Sequence, residues 1–158
     1  MSQDTIEYTP LTREDIDAIY QIECACHAYP SSRKVFDGCF NPRYRCFKMT
    51  NADVDGKAQV IGFYIAELVL DEMTLQNICI SPQRQGKGYG KQLMTHFVQI
   101  AKSEKVTQLW LEVRESNTAA IKLYDQFDFA EAGKRKDYYP GENGREDALL
   151  MGAFLFLD

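Results

Sequence analysis

The 158 residues are enough for one domain and too few for two comfortable ones, so we expect a single domain over residues 1–158. A hydrophobic share of 45% and a charged share of 26% are ordinary for a globular protein and exclude the disordered and fibrous classes. The formal net charge of −5 argues against nonspecific nucleic-acid binding and is compatible with a cationic partner, such as an amine or a basic peptide.

The sequence predicts neither a membrane span nor a secretory signal. Its longest apolar run, Ala148–Leu157, has ten residues, whereas a membrane-spanning helix needs about 18. The N-terminal residues Met1–Thr5 lack the basic and apolar pattern of a signal peptide. Five cysteines without a framework spacing are typical of free thiols in a reducing compartment. We therefore expect a cytoplasmic protein that does not bind a membrane.

The first half of the chain predicts a strand, two helices and three further strands. A short strand is expected at Ile6–Tyr8. Thr12 with an acid three residues later indicates a helix start, and apolar residues at helical spacing extend that helix to about His27. Tyr29–Ser32 should end it. The next predicted elements are a short helix at 33–40, with Val35, Phe36, Cys39 and Phe40 on one side, and strands at 44–49, 59–70 and 74–80.

Two cysteine-containing stretches raise questions of chemistry. Cys24-Ala25-Cys26-His27 could contribute to a metal site, but it lacks a second ligand pair at finger-like distance, so we expect no metal. Cys79 lies at a predicted strand end where a nucleophile could be useful. No histidine lies close to it in a readable pattern, and we therefore interpret Cys79 as a buried filler.

A glycine-rich loop, Gln85–Gly90, lies between the strand-like run Leu75–Ile80 and the helix-like run Lys91–Ala101. Its glycines allow a sharp turn and a close ligand approach, and the following helix start adds unpaired N–H groups. Gln92 stands where a P-loop needs Ser or Thr, and Lys91 stands where a dinucleotide fingerprint needs its third glycine. The loop is therefore predicted to bind the pyrophosphate of a ligand that neither of these two motifs recognises. A simple glycine-rich turn is the alternative.

The second half of the chain predicts a strand, a helix and a final pair of strands. Val106–Val113 is almost continuously apolar, which is typical of a strand covered on both faces. Glu112 interrupts it, and a carboxylate there costs free energy unless it is paired, hydrated or used. Asn117 is a good cap for the next helix. With strands near 129–139 and 148–157, the fold class is mixed α/β, with a parallel crossover around the glycine loop and antiparallel hairpins at both ends.

The spacing of Gln85, Gly88 and Gly90 resembles the acyl-CoA loop of the GCN5-related N-acetyltransferase (GNAT) superfamily. The resemblance extends over nearly the whole chain, and especially to the branch that acetylates the N-terminal alanine of a small-subunit ribosomal protein. It implies a GNAT fold, with a mixed sheet of about six to seven strands, about four helices, and acetyl-CoA at a splayed strand pair. The segments that carry it are Gln21–Glu23, His27–Pro30, Asn77–Pro82, Leu109–Asn117, Ala120–Tyr124, Tyr138–Pro140 and Gly144–Ala148.

The same resemblance implies which residues bind acetyl-CoA. Ile78, Cys79 and Ile80 would offer backbone groups to the pantetheine arm and an N–H to the thioester carbonyl, as an oxyanion hole does. Asn117 would also contact the cofactor, although capping alone would explain it. The pyrophosphate would be held mainly through main-chain N–H groups, within a loop formed by Gln85, Gly86, Lys87, Gly88, Tyr89, Gly90 and Lys91.

Two catalytic roles are implied by matching positions. Glu112 would be the general base, acting directly or through water, for which a partly buried carboxylate with a raised pKa would be suited. Tyr124 would protonate the leaving thiolate. From the residues alone, a structural acid and a core tyrosine remain open. Because no Cys–His or Ser–His pair is placed for an acyl-enzyme, we expect direct attack by the amine.

The acceptor is expected to be the N-terminal segment of a ribosomal protein, flanked by residues 29–33 and 138–144. Ser31 stands where close family members carry tryptophan, which would widen the acceptor pocket. Asp128 stands where a glycine commonly follows the helix, and aspartate tolerates a left-handed cap. Lys134–Lys136 is more typical of a solvated face than of a nucleic-acid site. We expect no direct nucleic-acid contact, and a monomer or weak dimer.

Two other functions stay open at this point. One is acetylation of lysine side chains or of a small-molecule amine. The other is a non-catalytic module that binds acyl-CoA. The presence of both Glu112 and Tyr124 disfavours the second of these.

Overall fold

The computed structural model describes residues 5–52 and 55–156. Its helices are α1 (Ile16–Cys26), α2 (Arg33–Asp37), α3 (Tyr89–Ser103) and α4 (Thr118–Asp125). Its strands are β1 (Thr5–Pro10), β2 (Tyr44–Ala52), β3 (Ala58–Val69), β4 (Glu72–Ile80), β5 (Gln108–Arg114), β6 (Ala130–Gly141) and β7 (Gly144–Phe154).

Within the described residues, the strands form one seven-stranded sheet in the order β1-β2-β3-β4-β5-β7-β6. Strands β4 and β5 pair in parallel across the α3 crossover. The hairpins β2–β3 and β6–β7 are antiparallel. The predicted α/β class, the parallel crossover and the terminal hairpins are all confirmed.

A capping arrangement fixes the start of the first helical segment. The backbone N–H of Thr12 donates to the Asp15 carboxylate at 2.9 Å, as the sequence predicts. Lys48 of β2 pairs with the same carboxylate at 2.7 Å, which ties the segment to the sheet. The first turn is a 3₁₀ turn at Arg13–Asp15, and α1 follows it.

The core has two parts, one on each face of the sheet. Leu93 and Phe97 of α3 are fully buried in one part. Ile19 of α1 and Phe36 of α2 are buried in the other. Each such side chain contributes roughly 1.5–3 kcal/mol by leaving water. Helices therefore pack on both faces of the sheet. The loops that connect the helices to the strands at one end of the sheet form the walls of a cleft.

Strands β4 and β5 separate after a short parallel stretch. Their pairing runs from Glu72 with Gln108 to Leu75 with Leu111. Beyond it, β5 continues along β7, while Asn77–Ile80 continue along β3. The β3–β4 register shifts at Gln76, and such a bulge re-aims the strand. A wedge-shaped gap opens here, which confirms the predicted splayed pair.

The predicted double cover of β5 is wrong. Leu109, Leu111 and Val113 are buried, whereas the alternate residues, including Glu112 and Arg114, are half-buried. Alternation arises because one face of the strand packs against the core, while the other face is only partly covered.

Several element ends differ from their prediction. Helix α2 ends at Asp37. Of its neighbouring residues Val35 and Phe36, only Phe36 reaches the core, and Val35 is 53% exposed. Helix α3 begins at Tyr89, inside the glycine loop. Strand β7 begins at Gly144, since its hairpin with β6 is tight, and it ends at Phe154, before Leu155 and Phe156, which were predicted as strand. The predicted strand end at Leu157 lies outside the described residues. Asp128 has φ +66°, which confirms the left-handed cap.

Candidate active site

The glycine loop has the backbone shape of an anion-binding turn. Gly86 and Gly88 adopt φ of +76° and +86°, a region that costs other residues about 1–2 kcal/mol. Helix α3 begins directly after Gly88, so the amides of its first turn lack partners within the helix. Left-handed turns followed by a helix start make a concave row of N–H groups. This geometry supports the interpretation as a pyrophosphate loop.

Gln85 braces this loop against the end of β4. Its side-chain Nε2 donates to the Ile80 carbonyl at 2.9 Å. The Gln85 side chain therefore binds the strand. The neighbouring backbone amides are the groups that could contact a ligand. Lys87 and Lys91 are exposed on the same loop and the first turn of α3.

A cavity of about 410 Å³, termed the loop cavity, lies between this loop, β4 and α4. Tyr124 lines it and is almost fully buried. Burial raises the pKa of the Tyr124 phenol, so the hydroxyl keeps its proton at neutral pH. The cavity is lined by His27, Leu75, Gln76, Asn77, Ile78, Ile80, Gln85, Gly86, Gly90, Asn117, Ala119, Ala120, Leu123 and Tyr124.

The three predicted residues of β4 divide between the two faces of the sheet. Ile78 and Ile80 line the loop cavity. Cys79 belongs to the core on the α1 side and is 4% exposed, because successive strand side chains point to opposite faces. Only the backbone of Cys79 is therefore available to the loop cavity.

A second cavity of about 530 Å³, termed the hairpin cavity, lies between the segment after α1 and the β6–β7 hairpin. The two segments that the sequence predicted to flank an acceptor do line it together. Its lining residues are Glu23, Cys26, His27, Ala28, Tyr29, Ser31, Gln76, Asn77, Arg114, Ser116, Asn117, Tyr139, Pro140, Gly141, Glu142 and Glu146.

Arg114 holds the walls of the hairpin cavity together. Its guanidinium lies 5.4 Å from the Tyr29 ring centre and 4.6 Å from that of Tyr139. It also donates to the Pro140 carbonyl at 2.6 Å and to Glu146 at 2.9 Å. The hydrogen bond from Arg114 lowers the pKa of the Glu146 carboxyl. One side chain of β5 thus connects the loop after α1 with the hairpin.

The loop cavity and the hairpin cavity meet at the gap between β4 and β5. Four residues line both of them: His27, Gln76, Asn77 and Asn117. The Asn117 side chain accepts the Ala120 N–H at 3.2 Å, which confirms it as the cap of α4. A thioester in one cavity and an amine in the other could meet here.

Glu112 lies beside this junction and not in it. Its side chain is 21% exposed and pairs with Arg135 of β6 at 2.9 Å. Glu112 is not among the described residues that line either cavity. Tyr139 does line the hairpin cavity, and burial, followed by the nearby Glu112 carboxylate, raises the pKa of Tyr139 to about 12. The predicted base is thus near a residue of the cavity wall.

The basic cluster of β6 carries paired charges. Lys134 lies 3.2 Å from Glu115, and Arg135 pairs with Glu112 as described. These ion pairs support the interpretation of Lys134–Lys136 as a solvated strand face.

A cluster of Glu23, His27 and Cys79 was missed by the sequence reasoning. His27 Nε2 lies 3.2 Å from the Cys79 Sγ, and Glu23 Oε1 lies 3.5 Å from each of those atoms. The expectations that no histidine lies near Cys79 and that no Cys–His pair is placed are therefore wrong. The i, i+4 spacing of Glu23, on α1, and His27, directly after it, was a local signal. Their meeting with a strand residue 52 positions from His27 depends on tertiary packing.

The cysteine of this cluster is a poor nucleophile in its present state. The hydrogen bond with Cys26, burial, and the nearby Glu23 carboxylate all raise the pKa of the Cys79 thiol. Because the thiolate is the reactive form, a neutral thiol does not favour an acyl-enzyme. The Cys–His pair therefore does not displace direct attack as the preferred mechanism.

Comparisons with known proteins agree with this geometry. The sequence model of the acetyltransferase (GNAT) family matches residues 16–129. A ribosomal protein bS18-alanine N-acetyltransferase of Salmonella typhimurium is 43% identical over 141 residues, which cover 89% of this chain and 92% of that protein. The one from Haemophilus influenzae is 41% identical over 142 residues, covering 89% and 93%.

Solved structures show the same architecture. The crystal structure of the ribosomal-protein-S18-alanine N-acetyltransferase from Escherichia coli has a TM-score of 0.89 at 39% identity, covering 98% of this chain and 96% of that one. Arabidopsis thaliana NAA60 in complex with acetyl-CoA has a TM-score of 0.83 at 18% identity, covering 96% and 99%, and shows a shared fold alone. Among the described residues, no helix has the length and apolarity needed to cross a membrane.

Proposed function

The chain belongs to the acetyltransferase (GNAT) family, and on that premise we propose that it transfers the acetyl group of acetyl-CoA to the N-terminal α-amine of an alanine in a small-subunit ribosomal protein. Relatives named for that reaction on bS18 match most of the chain. The enzyme would work in the cytoplasm, where its five free cysteines would stay reduced.

One observation carries the proposal: two cavities that meet at the gap between splayed strands. The rate of a reaction between two bound molecules increases most when the protein holds the reacting atoms about 3–3.5 Å apart. His27, Gln76, Asn77 and Asn117 line both cavities, so ligands in the two would be closest there.

Acetyl-CoA would occupy the loop cavity. The amides of residues 86–91 would hold its diphosphate, and exposed Lys87 and Lys91 would add positive charge. The pantetheine arm would extend along Ile78–Ile80, whose gap-side edge does not continue the pairing with β5. A backbone N–H of that edge would polarise the thioester carbonyl.

The acceptor would occupy the hairpin cavity. Glu23, Glu142 and Glu146 line it together with Arg114, and the excess of negative over positive charge favours a cationic N-terminal peptide. Ser31 also lines this cavity, so the small side chain leaves room that a tryptophan would fill. Cationic stacking of Arg114 with Tyr29 and Tyr139 would hold the wall in shape.

The amine must lose a proton before it attacks, since an α-amine has a pKa of about 8. Glu112 is proposed as the base, acting through a water or through Tyr139, because Glu112 does not line the hairpin cavity. The nitrogen then attacks the thioester carbon, the C–S bond breaks as the tetrahedral intermediate collapses, and the second proton of the nitrogen passes to solvent, from which Tyr124 later regains its own. Tyr124, protonated and lining the loop cavity, would donate its proton to the leaving thiolate.

Mass spectrometry of acceptor peptides tests this function. The full chain and acetyl-CoA would be incubated with a peptide that begins with alanine, with the same peptide blocked at its α-amine but carrying a lysine, and with a free polyamine. Acetylation of the α-amine alone is the expected result. Modification of the blocked peptide's lysine or of the polyamine in its place would select the alternative acceptors. Acetyl-CoA binding without any product would indicate a non-catalytic binding module.

A further inference from the structure

Glu23, His27 and Cys79 bring three different donor atoms to one point. Glu23 is on the third turn of α1, His27 directly follows that helix, and Cys79 is near the end of β4. Their donor atoms all lie within 4.8 Å of one another. The proposed acetyl transfer uses neither the thiol nor the imidazole, so the cluster is unexplained by that reaction.

The spacing of the three atoms fits a tetrahedral metal ion. Zn²⁺ binds thiolate at about 2.3 Å and imidazole or carboxylate at about 2.0–2.2 Å, which places tetrahedral donors roughly 3.3–3.6 Å apart. The observed separations are 3.2 Å from His27 Nε2 to Cys79 Sγ, 3.5 Å from His27 Nε2 to Glu23 Oε1, and 3.5 Å from Cys79 Sγ to Glu23 Oε1. Small movements of the side chains would therefore be enough.

Neighbouring groups orient the carboxylate as they do in metal sites. Asn77 Nδ2 donates to Glu23 Oε1 at 2.7 Å, and the Ser31 backbone N–H donates to Glu23 Oε2 at 2.9 Å. The Glu23 side chain is 3% exposed and thus held in place. Outer-shell hydrogen bonds of this kind position ligands and affect metal affinity.

We propose that Glu23, His27 and Cys79 form a binding site for a soft divalent cation of the Zn²⁺ class. The three side chains would supply one oxygen, one nitrogen and one sulfur, and water from the hairpin cavity, which Glu23 and His27 line, would take the fourth position. This proposal does not rest on the proposed acetyl transfer. The stretch Cys24–His27 alone gave no reason to expect a metal, because Cys79 is distant from it in the sequence.

Binding exchanges protons for the metal. Cys79 releases its thiol proton to solvent and binds as the thiolate, while His27 binds as the neutral imidazole through Nε2. Glu23 contributes one carboxylate oxygen. No oxidation or reduction takes place, and the site is expected to lose affinity as the pH falls, because protons compete for the same atoms.

A Co²⁺ titration of the full chain tests the site, since Co²⁺ replaces Zn²⁺ and reports its ligands by absorption. We expect a sulfur-to-cobalt charge-transfer band that saturates at one ion per chain, together with the visible bands of a four-coordinate ion, and displacement of both by Zn²⁺. Cys79→Ser, which keeps the size of the side chain, should abolish the charge-transfer band. His27→Gln should weaken Co²⁺ binding by at least about tenfold.

Cys24→Ser is the matched control, because Cys24 is an exposed cysteine of the same helix outside the cluster. It should leave the titration unchanged. Thermal unfolding without metal would verify that each variant is folded. Absence of the charge-transfer band in the unaltered chain, or its persistence in folded Cys79→Ser, would overturn the proposal. Because the readout is binding, its failure would leave the proposed acetyl transfer untouched, and the reverse is also true.

Discussion

The loop cavity and the hairpin cavity are built by different means. The loop cavity takes its proposed diphosphate-binding groups from consecutive residues of the glycine loop that follows β4, and α4 closes its other side. The hairpin cavity is assembled from side chains of α1, β5 and the β6–β7 hairpin. A site made from backbone tolerates side-chain change, whereas one made from side chains can change its ligand by single substitutions. This difference fits an enzyme whose acetyl donor is always acetyl-CoA and whose side chains determine which acceptor it binds.

Tyr124→Phe should have the largest effect. Loss of the proposed proton donor should lower kcat by about 10²- to 10⁴-fold. Acetyl-CoA affinity, measured by calorimetry, should stay within about twofold, since the ring still fills its buried place. Tyr44→Phe, on β2 away from both cavities, is the control. Equal loss in both variants would show that Tyr124 is a packing residue.

Glu112→Gln should lower kcat by about 10²-fold. This is the lower end of the range for loss of a general base, because Glu112 would act through a water or through Tyr139. Glu23→Gln is the informative comparison, because Glu23 lines the hairpin cavity itself. Steady-state kinetics of both, with folding checked by circular dichroism, would decide the assignment. A large kcat loss in folded Glu23→Gln with little change in Glu112→Gln would transfer the role of base to Glu23.

Gly88→Ala should weaken acetyl-CoA binding by about tenfold. Its φ of +86° costs an alanine about 1–2 kcal/mol, and relief of that strain would disturb the amide row. Gly56→Ala is a matched control, since Gly56 has φ +78° in a turn outside both cavities. Both variants should lose similar stability in thermal unfolding. If acetyl-CoA affinity falls in neither, the loop does not bind the diphosphate through its backbone.

Arg114→Gln should raise the KM for the acceptor peptide by roughly three- to tenfold, with a smaller change in kcat. It removes two ring contacts and the ion pair with Glu146, which together hold the cavity wall. Arg43→Gln removes an exposed pair with Glu67 and should leave both constants unchanged. A rise in the KM for acetyl-CoA instead would contradict the division between the two cavities.

The smallest expected effect is on the pH dependence of stability, through Glu146 in the wall of the hairpin cavity. The pKa of Glu146 is lowered in the folded protein, so its contribution to stability is present above the ordinary carboxyl pKa of 4.5 and is lost as the pH falls through the lower, folded value. Glu146→Gln should therefore show a smaller decrease in Tm on acidification than the unaltered chain. Parallel decreases in the two proteins would indicate that the pair with Arg114 adds no stability.

The two cavities also differ in how far the sequence predicted them. The sharp turn of the glycine loop and the helix start after it are confirmed, because both depend on adjacent residues. The segments around Tyr29 and Tyr139 were expected to flank one groove, and they do line one cavity. That expectation came from resemblance, since 110 residues separate the two tyrosines and no periodicity connects them.

The errors follow the same division. Cys79 is buried, as predicted, but its neighbours Glu23 and His27 were missed, because only packing of α1 and the residue after it against β4 brings them together. The alternation in β5 was missed because Trp110 is apolar yet half-buried, on the less covered face of the strand. Apolar identity alone does not report which face of a strand is covered.

A structure of the chain with a bisubstrate compound, CoA joined to the N-terminus of an alanine peptide, would test the central claim most directly. We predict the diphosphate against the amides of residues 86–91, the acyl link at the gap between β4 and β5, and the peptide between residues 28–31 and 139–142. A diphosphate bound elsewhere, or a peptide that leaves the gap on the side of α4, would contradict it.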